Sequence, residues 1–372
     1  MSTGHAPLAP SSASRRKACA GSRKMEALYP QPDDSPHALE GTAAHWAASE
    51  MLSGRTVDSG QIAENGVMLT DEMIEAATMY VDEVRSVANT PIYVEQRINI
   101  NYVHDQCWGT PDAWFYDEYQ RRLHLWDFKY GHRFVDVYEN WQLIEYAAGI
   151  LDYLGIDGIK DQHVTVDMTI VQPRCYVGGS PVRSWKVRAV DLRGYFNAAR
   201  MFEAKAMSDD AQLTVSPECR DCSARHACPA LQRASYADMN ITTEAVPFDL
   251  PPEALGTELR YIQSAIDTLT ARATSLEEQA LSMIRQGKPI PHFVAQHGMG
   301  RERWVKPEPE VIAMGELMGV KLGVTKLVTP KQAIKAGMPE EVVKSFTEVP
   351  RGELKLVPDD GTKARKIFGQ TY

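Results

Sequence analysis

The chain has 372 residues, 44% hydrophobic and 24% charged, with six cysteines and a formal net charge of −9. That length accommodates two or three ordinary domains, and no apolar run approaches the roughly 18 residues of a membrane span. Six cysteines in so long a chain are too few for a disulfide scaffold. The opening MSTGHAPLAPSSASRRKACAGS has basic residues but no apolar stretch behind them, so export is not expected and a cytoplasmic location is. Net charge speaks at first against nucleic acid, but it is unevenly spread. Residues 1–30 carry +4 and residues 301–372 carry +3, which leaves −16 for the middle. An acidic middle between basic ends fits a metal-binding acidic site flanked by phosphate-contacting segments, and equally an ordinary acidic cytoplasmic protein.

A Ser/Ala/Pro-rich start precedes a helix expected from Ser11–Ser14, good capping residues, that brings Cys19 to its end. Further helices are expected over Leu39–Met51 and Asp71–Val87, the second capped by Thr70 or Asp71. The period then changes from helical to alternating. PIYVEQRINI (91–100), CWGTPDAWFYD (107–117) and RRLHLWDFKYG (121–131) read as a meander of three antiparallel strands. A helix over 139–155 follows, with Trp141, Ile144, Tyr146 (or Ala148) and Leu151 near one face and Gly155 as its stop. Strands over 163–173 and 184–191 and a helix over Leu192–Met207 complete a mixed α/β layer pattern, residues 1–240 forming the first domain.

Residues 251–287 form a long helix between Pro251–Pro252 and Gly287. Its Leu255, Leu259, Ile262, Ile266, Leu269, Ala273, Leu276 and Ala280 make a heptad seam that packs on its own domain or pairs in a homo-oligomer. Residues 288–372 read as a small α+β module, with a helix over TPKQAIKAG (329–337). Within the module Arg301, Arg303, Trp304 and Lys306 make a basic patch with an aromatic, suited to strand binding or simply to an exposed surface.

The chemistry centres on Gly109-Thr-Pro-Asp112 and Asp127-Phe128-Lys129. Residues two apart on a strand share a face, so Asp127 and Lys129 project together while Trp126, Phe128 and Tyr130 face the opposite, buried side. Two nearby strands thus bring Asp112, Asp127 and Lys129 into one small volume. Paired carboxylates suit a hard cation, Mg²⁺ or Mn²⁺, and an adjacent lysine can steer or deprotonate water and offset phosphate charge. Asp-x-Lys alone recurs by chance in surface strands. His45, on an early helix, is a further candidate ligand, although a lone helical histidine is commonly a bystander. Gln142 and Tyr146 share a helix face that could meet a nucleic-acid backbone, and Glu95 is a further candidate carboxylate.

Cys219-x2-Cys222-x5-Cys228-Pro229 is a tight thiolate group without a fourth local partner, and Cys19 is the nearest completion. Four thiolates suit a [4Fe–4S] cluster or a tetrahedral zinc, which spacing does not separate. His226 is an alternative ligand that would favour zinc, while Cys107 and Cys175, placed on strands, read as buried thiols.

In these pieces the chain resembles the RecB-like branch of the PD-(D/E)xK nuclease superfamily: a histidine in the first helices (Gly41-Thr-Ala-Ala-His45), Gly109-Thr-Pro-Asp112, Asp127-Phe128-Lys129 and Gln142-x3-Tyr146, in that order, over roughly residues 11–232. The resemblance implies a restriction-endonuclease-like mixed sheet flanked by helices. It implies Mg²⁺ or Mn²⁺ on His45, Asp112 and Asp127, Lys129 acting on the attacking water, and Gln142 and Tyr146 engaging DNA. Asp127 departs from the family in standing where many relatives have glutamate. Some members carry a [4Fe–4S] cluster on one N-terminal and three later cysteines, which places it here on Cys19, Cys219, Cys222 and Cys228, with zinc the alternative. The implied activity is a metal-dependent DNA nuclease acting on ends or single strands, in the manner of an exonuclease. Stand-alone enzymes of this kind are phage-borne, which implies DNA recombination or processing beside a single-strand annealing protein. Two other readings use the same residues: a non-catalytic DNA-binding or assembly subunit that keeps fold and cluster, and a zinc-stabilised module that dimerises through the heptad helix.

Overall fold

A computed structural model of the chain describes residues 6–29, 36–88, 91–157, 160–175, 180–241 and 251–295. The chain divides into two compact units, Met1–Lys288 with Lys366–Tyr372, and Pro289–Arg365. Of the second unit the described part is 289–295, which makes one antiparallel bridge, Ile290 to Phe293. The basic patch at Arg301–Lys306 and the helix expected over 329–337 lie outside the described residues. Among the described residues no helix is long and apolar enough to cross a membrane.

The first unit is a mixed α/β fold. Its helices are α1 (Ala13–Ala18), α2 (Ser22–Leu28), α3 (Pro36–Leu52), α4 (Asp71–Val87), α5 (Trp141–Tyr153), α6 (Ala189–Met207), α7 (Pro229–Ile241) and α8 (Pro252–Arg285). Its strands are β1 (Tyr93–Val94), β2 (Ile98–Asn99), β3 (Trp108–Gly109), β4 (Ala113–Asp117), β5 (Arg122–Phe128), β6 (Thr165–Val171) and β7 (Val182–Arg188). Five form one sheet in the order β1-β4-β5-β6-β7, while β2 and β3 pair separately. Only the β5–β6 pairing is parallel; α5 lies between these strands in sequence, as a crossover between parallel neighbours requires.

Strand alternation sends β5 to two cores. Leu123 and Leu125 pack with α5 and α6, whereas Trp126 and Phe128 pack with α3 and α4. Local chemistry sets the helix starts: Thr70 Oγ1 accepts from the Met73 amide (3.3 Å), and Asn140 Oδ1 accepts from the Leu143 amide (3.2 Å). Gly155 stops α5 at φ +62°. Rather than showing one apolar face, α5 is buried continuously from Leu143 to Leu151.

The expected three-strand meander is corrected in its first two members. The run 91–100 breaks at Glu95, whose φ of +48° turns the chain between β1 and β2. The run 107–117 breaks at Thr110–Asp112, where Pro111 has no amide to give a ladder. Both breaks carry candidate site residues. The heptad seam is also not the packed side of α8. Its Leu255, Ile262, Ile266 and Leu276 are exposed, and Ala265, Ala271 and Ser275 are the buried positions.

A charged cluster holds the N-terminal helix. Arg16, 2% exposed, donates from Nε to Glu203 Oε1 and Oε2 (2.8 and 2.7 Å) and from Nη1 to the Ala9 carbonyl (2.9 Å). Glu145 lies 3.7 Å from Arg16, and burial together with the Glu203 charge pushes its carboxyl well above the ordinary range. One guanidinium thus serves two buried acids and pins α1 to α5 and α6.

Gly149 lets α5 approach β2. A Cβ there would sit 2.7 Å from Ile98 Cγ2 and 2.8 Å from Ile100 Cγ1. Helix propensity favours Gly149→Ala by about 1 kcal/mol, but overpacking costs about 1–3 kcal/mol, so net destabilisation is expected in a denaturant titration. A gain of stability would contradict the close packing.

Candidate functional site

Two groups of side chains converge at the ends of β4 and β5. The first joins His45 on α3, Glu95 in the β1–β2 turn and Asp112 ahead of β4. Their ligand atoms all lie within 4.8 Å of one another. His45 Nδ1 is 3.3 Å from Asp112 Oδ1, and the Glu95 amide donates to the Asp112 carbonyl (3.2 Å). The Glu95 turn therefore brings its carboxylate to the pair.

The second group is Asp127, Lys129 and Gln142. Asp127 is 4% exposed and closes a triangle: Gln142 Nε2 donates to Asp127 Oδ1 (3.0 Å), Lys129 Nζ lies 3.1 Å from Asp127 Oδ2, and Lys129 Nζ donates to Gln142 Oε1 (3.0 Å). Beyond the end of β5 the Lys129 amide still pairs with the Val171 carbonyl (2.9 Å), so strand geometry holds its side chain on the Asp127 face. The amide of Phe128 donates to Asp112 Oδ2 (2.6 Å) and links the two groups.

The family resemblance implies His45, Asp112 and Asp127 as the ligands, with Glu95 a further candidate carboxylate. In the structure Glu95 completes the tight three-residue group, and Asp127 faces Lys129 and Gln142. Tyr146 is buried; its hydroxyl donates to the Thr110 carbonyl (3.3 Å), and a Cβ at Gly109 would stand 2.9 Å from its ring. It holds the Gly109–Asp112 loop in place. Tyr80 of α4, which sequence reasoning passed over, lines the recess with His45, Glu95 and Asp112. Its only sequence signal is a hydroxyl amid a small and aliphatic buried stripe.

Protonation follows from this crowding. Burial disfavours the charged forms of His45 and Lys129, but neighbouring acids outweigh it, Asp112 for His45 and Asp127 then Asp112 for Lys129, and both are raised. Asp112 is lowered because His45, Lys129 and the Phe128 amide outweigh its burial. Asp127 is raised by burial and by Asp112, against the pull of Lys129. Glu95, exposed as a residue but with its carboxyl turned towards the acids, is pushed up to about 7 by desolvation and then by Asp112.

These side chains fit a divalent cation. Two carboxylates and an imidazole share one small space, and Asp127 Oδ2 is buried and, among the described residues, faces the Lys129 ammonium at 3.1 Å without a further hydrogen-bond partner.

The cysteines form a separate place. Cys19, Cys219, Cys222 and Cys228 line one pocket, otherwise walled in part by Met25, Leu213 and Leu231. The Gly21 amide donates to the Gln212 carbonyl (2.8 Å) and the Thr214 amide to Cys19 Sγ (3.3 Å), which fastens the end of α1 to the later segment. The Ser216 amide donates to Cys219 Sγ (3.4 Å). Burial pushes the Cys222 thiol up to about 12 and raises Cys219, so a metal centre would have to displace protons. All six cysteines are free thiols. Cys107 and Cys175 are buried beside strands rather than on them, and His226 turns to the Ser223 carbonyl (3.1 Å) and the Tyr29 ring. From α8, Arg272 donates to the His226 carbonyl and Glu278 pairs with Arg225, so the long helix braces the cysteine segment.

Cation binding requires Glu95 ionised and His45 neutral. Both are raised, so Mn²⁺ affinity measured by calorimetry should climb as pH rises from about 5.5 towards 8. A flat profile would contradict the assignment of these ligands.

A family model described as a protein of unknown function, DUF2800, matches residues 5–364. The match takes in the sheet, both groups of site residues and the four pocket cysteines. The chain belongs to the DUF2800 family.

Proposed function

We propose that the chain is a Mg²⁺- or Mn²⁺-dependent deoxyribonuclease with the restriction-endonuclease-like core of RecB-like nucleases, carrying a [4Fe–4S] cluster on Cys19, Cys219, Cys222 and Cys228. One observation carries this reading. Asp112, Asp127, Lys129 and Gln142 form a continuous hydrogen-bonded and ion-paired set beside His45 and Glu95. A structural ion pair alone would not need three acids and a histidine at one place.

The residues divide the work. His45, Glu95 and Asp112 would hold the cation, which when bound supplies positive charge for the phosphate and acidifies water. Asp127 and Asp112 favour the ammonium form of Lys129 against its burial, and its role would be to steer water and offset phosphate charge. Gln142 fixes Lys129 and Asp127 relative to each other. Water attacks phosphorus, the bond to the leaving oxygen breaks, and the proton released from water ends on that oxygen. Lys129 and Gln142 also line an open groove of about 530 Å³, whose wall mixes Arg15, Arg133 and Arg220 with Asp136, Glu139, Glu218 and Asp221, and this groove is the place we assign to the strand that reaches the site. A role in phage or prophage DNA recombination follows from the same resemblance.

The cysteine pocket supports a cluster through its four thiols and its amide donors to sulfur. Anaerobically purified protein should be brown and contain iron and acid-labile sulfide, and Cys19→Ser should lose both. Colourless protein with one bound zinc would replace the cluster by zinc.

With Mg²⁺ or Mn²⁺ the protein should degrade end-labelled DNA. Asp127→Ala and Lys129→Ala should each slow cleavage by about 100-fold or more. Binding to DNA without cleavage across both metals would make it a non-catalytic DNA-binding subunit.

A further inference from the structure

Tyr80 sits on the buried stripe of α4 formed by Met73, Ala76, Ala77, Val81 and Val84, and is 1% exposed. Its ring stacks on Phe128 with centroids 5.0 Å apart, and Phe128 in turn lies 5.1 Å from the His45 ring. Packing alone accounts for the ring. It does not account for the hydroxyl, which is buried without a hydrogen-bond partner among the described residues and belongs to a residue lining the recess of His45, Glu95 and Asp112. A phenylalanine would stack equally well and leave no desolvated polar group.

The geometry points to Tyr80 as a positioning residue of the cation site, its hydroxyl donating a hydrogen bond to an oxygen of the ligand set once a divalent cation is held by His45, Glu95 and Asp112. This rests on the cation-site reading and adds to it a residue outside the ligands. Groups beside a metal commonly orient its ligands in this way. Burial and the charges of Asp112, Asp127 and Glu95 hold the phenol well above 10, so it keeps its proton throughout the neutral range.

The test uses full-length protein, wild type and Tyr80→Phe, freed of divalent cations and titrated with Mn²⁺ by calorimetry, with thermal melts in the absence of added metal. Tyr80→Phe should melt at the wild-type temperature or above it, and bind Mn²⁺ about tenfold more weakly. Equal Mn²⁺ affinity in the two proteins overturns the role of Tyr80 and leaves the cation site standing. A variant that melts well below wild type without metal also overturns it, because the hydroxyl then serves the fold. Absence of Mn²⁺ binding by wild type removes the cation site, and Tyr80 with it.

Discussion

The hydrogen bond from the Phe128 amide to Asp112 Oδ2 is the contact on which the candidate site depends. It crosses from the last residue of β5 to the loop ahead of β4, and so fixes the Gly109–Asp112 loop against the strand that carries Asp127 and Lys129. The other Asp112 oxygen faces His45 on α3, and the Asp112 carbonyl accepts from the Glu95 amide. One aspartate therefore ties a helix, a turn and a strand into a single frame. A charge-assisted hydrogen bond of this kind is among the stronger local interactions, on the order of 1.5–3 kcal/mol.

The same logic operates at the cysteine pocket. Nearly two hundred residues separate Cys19 from Cys219, and the fold joins them by anchoring α1 rather than by any local motif. Arg16 supplies the anchor from within, through Glu203 and Glu145; at the pocket Gly21 supplies it through its amide to the Gln212 carbonyl, and Cys19 through its sulfur, which accepts from the Thr214 amide. Arg133 of the groove and Asp221, next to Cys222, form an ion pair at 2.7 Å. That contact joins the wall of the groove to the cysteine segment.

Much of this was legible in the sequence because it rests on short-range rules. Thr70 announces α4, Gly155 marks the end of α5, and the period of two sets Asp127 and Lys129 on one face. The break at Glu95 was not legible, since the alternating pattern runs straight through it and a glutamate does not advertise a positive φ, whereas the break at Thr110–Asp112 carries its own signal in Pro111. The sequence therefore offers Glu95 only as a further candidate, and it is the turn that sets it within 4.8 Å of His45 and Asp112. Tyr80 was hidden for the opposite reason: it fits the helical period so well that it reads as core. The heptad pattern of α8 does not mark the side that packs on its own chain: there its small residues, not its large ones, are buried.

The central claim is that His45, Glu95 and Asp112 are the protein ligands of one divalent cation beside Asp127 and Lys129. Crystals grown with Mn²⁺ and measured near the manganese absorption edge test it most directly. The account predicts an anomalous peak enclosed by His45, Glu95 and Asp112. Ordered crystals in saturating Mn²⁺ that show no peak there, or one bound by other residues, would contradict it.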